Sequence, residues 1–173
     1  MRIEPASLKA PLGLEELLAD IGGGESGFSG TPVHTGEVTV EQYLQLCCDM
    51  PDPDKLLPGL VPQTVYWILD ENEVAVGMIK VRHYLSDQLR VHGGHIGYYV
   101  RRDRRGKGYA ENALRLALVD LRKLGQMRAL LTVHPDNAPS IKVIERNGGR
   151  LEKTITDPET GKQYRHYWIE LEP

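Results

Sequence analysis

Hydrophobic and polar positions follow two different periods along this chain, and the change of period divides it into helices and strands. Apolar residues recur at three- and four-residue spacing in two N-terminal stretches, 12–21 and 38–48, and most regularly from Ala110 to Leu124. Runs rich in β-branched and aromatic residues occupy 64–69, 74–81, 95–101 and 129–133. The spacing predicts amphipathic helices, and the runs predict strands.

Turn residues connect these elements and set their order. The polar segment 70–73 joins the first two strands as a hairpin, and a short helix begins near Pro139 and ends at Gly148 and Gly149. The last two strands, 150–156 and 164–171, form a second hairpin. The predicted order is α, α, β, β, β, α, β, α, β, β, with a short strand at 2–4. The segment 22–30 is too rich in glycine for regular structure, which predicts a mobile loop.

The chain length and composition indicate one ordinary domain. A length of 173 residues is enough to bury a core without disulfides or metals. We therefore expect a single domain, 1–173, with an N-terminal helical region at 1–60 and a core at 64–171. Hydrophobic residues make up 40% and charged residues 26%, and a formal charge of -3 gives no global reason to expect nucleic acid or an anionic membrane as a partner.

The cysteines and the N-terminus bear on the cellular compartment. Cys47 and Cys48 are adjacent, which suits neither a disulfide framework nor a zinc site with spaced ligands. The first residues lack the apolar core of a signal peptide, and no stretch approaches the roughly 20 apolar residues that span a bilayer. A soluble, cytoplasmic protein is expected.

The segment 101–110 carries the most specific chemistry, because it links a strand to the clearest helix. Gly106 and Gly108 remove side chains where a ligand would approach the backbone, and the helix N-terminus offers unpaired N–H groups. Arg104, Arg105 and Lys107 add positive charge. This combination predicts a site for a pyrophosphate.

Two common phosphate motifs do not fit. In a nucleotide-binding P-loop the Gly-Lys pair is followed by Ser or Thr, whereas Lys107 is followed by Gly108. A dinucleotide fingerprint requires a small residue where Glu111 stands and a parallel βαβ unit, and neither is present. Nucleoside triphosphates and nicotinamide cofactors are therefore disfavoured.

What remains resembles the acetyl-CoA signature of the GCN5-related N-acetyltransferase (GNAT) family. That signature is Arg or Gln, two residues, Gly, one residue, then Gly or Ala, and here it is Arg105-Gly106-Lys107-Gly108-Tyr109-Ala110. A second family segment follows at the right distance, 137–149, after a strand. Together with His95-Ile96-Gly97-Tyr98, these residues look like an uncharacterised bacterial subgroup of predicted acetyltransferases.

The resemblance implies a fold and a set of cofactor contacts. The fold is α/β (α+β), with a mixed, mostly antiparallel twisted sheet and helices on both faces. The implied co-substrate is acetyl-CoA, and no metal is implied. The residues that would bind acetyl-CoA are Tyr99, Val100, Arg105, Gly106, Lys107, Gly108, Tyr109, Ala110, Asn137 and Ser140.

The catalytic groups are less well defined. His95 occupies the strand position where several family members carry a glutamate base, so it is a candidate base; the alternative is a histidine satisfied by hydrogen bonds at a strand edge. Many members place a tyrosine seven residues after the motif asparagine to protonate the thiolate, and here that residue is Ile144. Tyr164 or Tyr167 on the last hairpin are candidate replacements; otherwise the thiolate leaves without a dedicated acid.

The expected activity is transfer of an acetyl group from acetyl-CoA to a primary amine, by direct attack in a ternary complex. The acceptor is open: a small-molecule amine, or the amine of a peptide or protein. A homodimer is compatible with the resemblance, and neither nucleic acid nor membrane is an expected partner. The alternatives are a CoA-binding module without catalysis and, less favoured by the net charge, a small nucleic-acid-binding domain that uses the basic residues of 101–107.

Overall fold

The computed structural model describes residues 1–171, and the predicted domain boundary at 173 lies outside that range. The chain contains nine strands and five α-helices in the described residues. The helices are α1 (Leu14–Ile21), α2 (Val40–Asp49), α3 (Asp87–Val91), α4 (Tyr109–Lys123) and α5 (Ala138–Arg146). The strands are β1 (Arg2–Pro5), β2 (Gly24–Glu25), β3 (Phe28–Ser29), β4 (Gln63–Leu69), β5 (Ala75–Arg82), β6 (Ile96–Val100), β7 (Arg128–Val133), β8 (Arg150–Thr156) and β9 (Gln163–Glu170).

The main strands form two sheets that meet at one edge. The first has the order β1-β4-β5-β6 and the second β7-β9-β8, and every ladder in them is antiparallel. A single isolated bridge, between Leu12 and Val74, is parallel. The predicted hairpins at 64–81 and 150–171 are both present, as is the short N-terminal strand.

Helices cover both faces of the sheets, because strands β4 and β5 are apolar on both sides. One face packs on α4 and α5 through residues such as Ile79, Leu114 and Ile144. The other face, which we call the α1–α2 face, packs on α1 and α2 through residues such as Trp67, Met78 and Leu17. This arrangement confirms the predicted α/β class with a mostly antiparallel sheet and helices on both faces.

Strands β6 and β7 are neighbours but do not form a ladder, since β6 pairs only with β5 and β7 only with β9. The segment just before β6 joins them: the N–H of Gly93 donates to Oγ1 of Thr132 at 2.7 Å, and the N–H of His95 donates to the carbonyl oxygen of Leu130 at 2.8 Å. The N–H of Leu130 in turn donates to Nδ1 of His95 at 2.9 Å. Past this junction lies an unpaired space between the two strands, which we call the gap.

The segment 22–30 departs from its prediction. It contains the two-residue strands β2 and β3, paired as a hairpin, so the prediction that it forms no regular structure is wrong. Ser26 and Gly27 both have positive φ, 50° and 88°, as a two-residue type I′ turn requires. Its glycines allow the two backbones to approach: a Cβ on Gly24 would lie 2.6 Å from the nitrogen of Gly30. Glycine here builds a tight hairpin rather than an irregular loop.

Candidate functional site

The N-terminus of α4 offers hydrogen-bond donors that the protein does not use. Its cap residue, Gly108, has φ 80° and provides no side chain. The starts of α2 and α5, by contrast, are capped by the side chains of Thr39 and Asn137. The first backbone N–H groups of α4 therefore lack a side-chain partner and, with the positive end of the helix dipole, favour an anion.

The turn that precedes α4 depends on its glycines. Gly106 has φ 77°, and like Gly108 it adopts the left-handed conformation that residues with a Cβ rarely take. A Cβ on Gly106 would meet no atom within 4 Å, so the space beside the turn is open. The two glycines are thus required by the backbone and leave the turn accessible to a ligand.

The arginines of this turn are engaged with carboxylates of the same chain. Arg102 pairs with Asp20 at 3.2 Å, Arg104 with Asp70 at 3.4 Å, and Arg105 with Glu25 at 2.8 Å. Arg105 also donates through Nε to the carbonyl oxygen of Val100 at 3.0 Å. We expected Arg104 and Arg105 to supply mobile charge, but they brace the turn against its surroundings.

Two acidic residues that the sequence did not single out hold this region together. Burial acts to raise the pKa of Asp20, yet hydrogen bonds from the backbone N–H of Arg102 and the hydroxyl of Tyr99 hold it below its usual range. The hydrogen bond from Arg105 likewise lowers the pKa of Glu25. Both carboxylates are ionised near neutral pH and connect the α1 region to the end of β6.

The predicted cofactor residues are distributed around the gap. Tyr99 and Val100 lie on β6, whose outer edge faces the gap, and Asn137 caps α5 on the opposite side by accepting from the N–H of Ser140 at 3.3 Å. Tyr98 spans the two sides, since its hydroxyl donates to the carbonyl oxygen of Ser140 at 3.4 Å. The gap is therefore bounded by β6, the 101–108 turn and the start of α5.

His95 is buried at the junction of the sheets. Because its Nδ1 accepts from Leu130, its proton lies on Nε2, which faces Gln126. Burial, with Arg90 and Arg82 nearby, lowers its pKa to about 4. The ring is neutral and has no free lone pair, so the geometry favours the strand-edge alternative, and the role of His95 as a base stays a prediction.

On the α1–α2 face, the β2–β3 hairpin lies across the gap. The ring of Phe28 packs against Tyr99 with centroids 5.7 Å apart. A Cβ on Gly27 would lie 3.5 Å from Nε2 of His134, which follows β7. The hairpin thus reaches from β6 to the end of β7 and borders the opening from the side opposite α4 and α5.

His134 and its neighbours form a cluster of rings beside the hairpin. The ring of Tyr164 is 4.6 Å from that of His134 and 5.4 Å from that of His92. The Nδ1 of His134 lies 3.1 Å from the carbonyl oxygen of Gln163, which places the proton of the neutral ring on Nδ1 and leaves the lone pair of Nε2 available. Burial, with Asp157 nearby, raises the pKa of Tyr164, so that its hydroxyl is protonated.

His134 was not among the candidate residues of the sequence, since it follows a predicted strand in a polar turn and its local pattern indicates no function. Its place at the end of β7, beside Gly27 of the hairpin, depends on contacts between distant segments. A groove of about 400 Å³ between α1 and α2, lined by Leu18 and Val33 among others, contains none of the predicted site residues. Within residues 1–171, no group of three His, Cys, Asp or Glu side chains could hold a metal, and no helix could cross a membrane.

Comparison with known families gives one match. The model described as "Acetyltransferase (GNAT) domain" matches residues 35–150, which is more than half of the chain. A search of curated proteins gave no significant match.

Solved structures of similar fold cover nearly the whole chain. A ribosomal-protein-S5-alanine acetyltransferase from Vibrio fischeri has 15% identity and a TM-score of 0.71, covering 99% of this chain and 94% of its own. A ribosomal L7/L12 alpha-N-protein acetyltransferase in complex with coenzyme A has 14% identity and a TM-score of 0.65, covering 97% and 98%. RimJ from Mycobacterium smegmatis, in complex with CoA-disulfide, has 21% identity and a TM-score of 0.64, covering 90% and 74%. At these identities the likeness is one of fold.

Proposed function

The chain belongs to the GNAT acetyltransferase family and is an acetyl-CoA-dependent N-acetyltransferase, and we propose that it acetylates a primary amine by direct transfer in a ternary complex. The observation that carries this proposal is the gap between β6 and β7, which opens beside the uncapped N-terminus of α4. An elongated molecule with a pyrophosphate at one end and an acyl group at the other fits such a site.

The residues around the gap suit acetyl-CoA. The N–H groups at the start of α4 and the ammonium of Lys107 would hold the phosphates. The N–H of Val100, on the open edge of β6, would pair with the pantetheine as an added strand does, and Asn137 and Ser140 would line its other side. Tyr99, whose own backbone pairs with Met78 of β5, would lie next to it. When bound, acetyl-CoA supplies an activated acyl group in a thioester.

The chain's own contribution is to position the amine, remove its proton and stabilise the negative charge that develops on the carbonyl oxygen. Backbone N–H groups at the open edge of β6, near Val100, would stabilise that oxygen. Holding both reactants in one site makes the attack effectively unimolecular. As the nitrogen–carbon bond forms and the carbon–sulfur bond breaks, the ammonium proton goes to a base and the thiolate takes up a proton.

For the base, the geometry supports His134 over His95. Its Nε2 has an available lone pair and borders the opening beside Gly27, whereas His95 uses Nδ1 to join the sheets. A neutral imidazole near neutral pH is suited to accept a proton from an ammonium group. We assign His134 as the base of the proposed reaction.

Two tyrosines are placed to protonate the thiolate in the absence of a tyrosine at position 144. Tyr98 reaches across the gap to Ser140 of α5, and burial raises its pKa to about 12, which keeps its hydroxyl protonated. Tyr164 packs against His134 at the α1–α2 side, with the two rings tilted by 31°. Because the thiolate would lie between β6 and α5, we favour Tyr98 as the donor, with Tyr164 positioning His134.

The nucleic-acid alternative loses support from the ion pairs of the turn. Arg101, Arg102, Arg104 and Arg105 each pair with a carboxylate of the chain, which neutralises the charge that a phosphate backbone would require. No observation favours this alternative over acetyl transfer.

The proposal is tested by measuring thiol release from acetyl-CoA against a panel of primary amines, with the parent protein and the Tyr98→Phe and Lys107→Ala variants. We expect acceptor-dependent release that Tyr98→Phe slows, and a higher KM for acetyl-CoA in Lys107→Ala. The matched control is Lys153→Ala on the exposed strand β8, which removes the same charge away from the gap. Binding of acetyl-CoA without acceptor-dependent release from any amine would refute direct transfer.

A further inference from the structure

Two cationic side chains of β5, Lys80 and Arg82, lie on the α1–α2 face near the gap. They follow Met78, which belongs to the core of that face, at two-residue spacing, and so point to the same side of the strand. Lys80 is the register partner of Gly97 on β6, so the pair of cations lies directly beside the strand that borders the gap. Neither residue was singled out by the sequence, where each is an ordinary polar position at the end of a strand.

The ammonium of Lys80 contacts an aromatic ring and no acceptor. Its Nζ lies 4.9 Å from the centroid of the Phe28 ring, in the hairpin that crosses the gap. Among the described residues, the fully buried side-chain nitrogen and oxygen atoms that lack a hydrogen-bond partner are Thr31 Oγ1 and Trp67 Nε1. Nζ of Lys80 is not one of them, so the ammonium group is not completely sealed from solvent.

Arg82 is held in place by hydrogen bonds that use only some of its N–H donors. Its Nη1 donates to the carbonyl oxygens of Gly93 and Gly94 at 2.9 and 3.1 Å. A guanidinium carries five N–H groups, and those on Nε and Nη2 have no hydrogen-bond partner within residues 1–171. The side chain is thus held rigidly while part of its donor set stays available.

No carboxylate of residues 1–171 balances these two charges. Burial lowers the pKa of Lys80 and of Arg82, and Arg82 adds a repulsive effect on Lys80. The other titratable groups that act on them are Cys47, whose thiol is buried, and His95, which is neutral. The four arginines of the 101–105 turn show the opposite arrangement, each with an acidic partner.

Gly97 leaves room for a ligand atom between these groups. A Cβ at this position would lie 3.9 Å from Nη1 of Arg82 and 3.9 Å from Cδ2 of Phe28. The absent side chain therefore creates a small recess on β6, with Arg82 and Phe28 on two sides and Lys80 on the adjacent strand. The recess lies on the face from which the amine would enter, beneath the β2–β3 hairpin.

From this geometry we infer that Lys80 and Arg82 bind an anionic group of the acceptor, a carboxylate, so that the substrate is an amine that also carries a carboxylate. The inference rests on the proposed acetyl transfer and specifies its acceptor. A carboxylate would neutralise the two cations, accept from the unused N–H groups of Arg82, and lie against the Phe28 edge of the recess. The reaction itself is unchanged: the acceptor amine gains the acetyl group and loses a proton.

The test compares matched acceptors. A panel of α- and ω-amino acids is assayed against the corresponding amides, which have the same shape but lack the charge of the carboxylate. Aminoalkyl phosphonates are assayed as well, to show whether the site distinguishes a carboxylate from another anion. We expect kcat/KM for at least one acid to exceed that for its amide by tenfold or more. Lys80→Met should abolish this ratio through KM for the acceptor, Lys80→Arg should retain it, and Lys153→Met on β8 should leave it unchanged.

A second variant tests the recess without changing charge. Gly97→Ala places a methyl group within ordinary contact distance of Arg82 and Phe28 and should raise KM for the acid more than for the amide. Equal use of acids and amides by the parent, or an unchanged ratio in Lys80→Met, overturns the inference while acetyl transfer stands. A preference for phosphonates over carboxylates would also overturn it as stated. Absence of transfer to every amine refutes the proposed function and the inference with it.

Discussion

The junction between the two sheets gives the sharpest test of how the fold builds the gap. Gly94 is buried, has φ 59°, and has no space for a side chain: a Cβ there would overlap the carbonyl oxygen of Leu130 and lie 3.0 Å from its carbonyl carbon. That oxygen accepts the N–H of His95, and Leu130 donates to the His95 ring. Replacing Gly94 by Ala would therefore force apart the strands at the point where they are joined.

The cost can be worked out by comparison with Gly36. Gly36 has φ 76°, is exposed, and a Cβ there would meet nothing within 4 Å, so Gly36→Ala isolates the backbone penalty of about 1–2 kcal/mol. Gly94→Ala adds the loss of two hydrogen bonds, each worth about 0.5–1.5 kcal/mol net. The expected difference between the variants is therefore about 1–3 kcal/mol, or roughly 2–12 °C in Tm at about 2–4 °C per kcal/mol.

The assay is thermal unfolding of both variants and the parent, with and without acetyl-CoA. Gly94→Ala should unfold at the lowest temperature and should also lose part of the stabilisation by acetyl-CoA, because the gap begins at this junction. Gly36→Ala should keep that stabilisation. Equal Tm values for the two variants would show that the contact between residue 94 and Leu130 does not constrain the junction.

Three further predictions concern the site. His134→Gln should lower kcat by about 10²–10⁴-fold, whereas His95→Gln should lower it far less; the reverse result would assign the base to His95. Glu25→Gln should change stability little, because an exposed ion pair is worth about 0–1 kcal/mol. The same change should free Arg105 and so tighten the binding of acetyl-CoA, measured by calorimetry. Weaker binding would show that the carboxylate is needed to position the turn. Asp20 has a lowered pKa in the folded protein, so its contribution to stability is present above the unfolded pKa of about 3.9 and is lost as pH falls through the lower folded value. Asp20→Asn should therefore reduce Tm near neutral pH and make Tm depend less on pH in acid. Parallel curves of Tm against pH for the variant and the parent would argue against this.

Much of the fold follows from local patterns in the sequence. The apolar stripe from Ala110 to Leu124 corresponds to α4, and the β-branched runs correspond to β4, β5 and β7, because each of these elements buries the side chains that define its period. Gly106 and Gly108 mark the turn before α4, since the backbone there requires positive φ. These features depend on neighbouring residues, which a sequence displays directly.

The parts that could not be predicted depend on contacts between distant segments. Asp20 lies near the end of α1 and Glu25 in the short strand β2, and their pairing with Arg102 and Arg105 joins positions about eighty residues apart. The sequence alone therefore predicted that the charge of Arg105 was available to a ligand, whereas the side chain is paired with Glu25. The surroundings of His134 and Lys80 likewise join distant segments, since Gly27 of the β2–β3 hairpin lies beside His134 and Gly97 of β6 pairs with Lys80.

Hydrogen–deuterium exchange of the backbone amides, with and without acetyl-CoA, is the decisive test of whether acetyl-CoA binds in the gap. Slower exchange is expected in the bound state at Val100, whose N–H faces the gap, and at Gly106 to Glu111, because pantetheine and phosphate groups would accept from those N–H groups, with no change along β8. Binding that leaves the start of α4 and the edge of β6 unprotected would contradict the placement of acetyl-CoA in the gap.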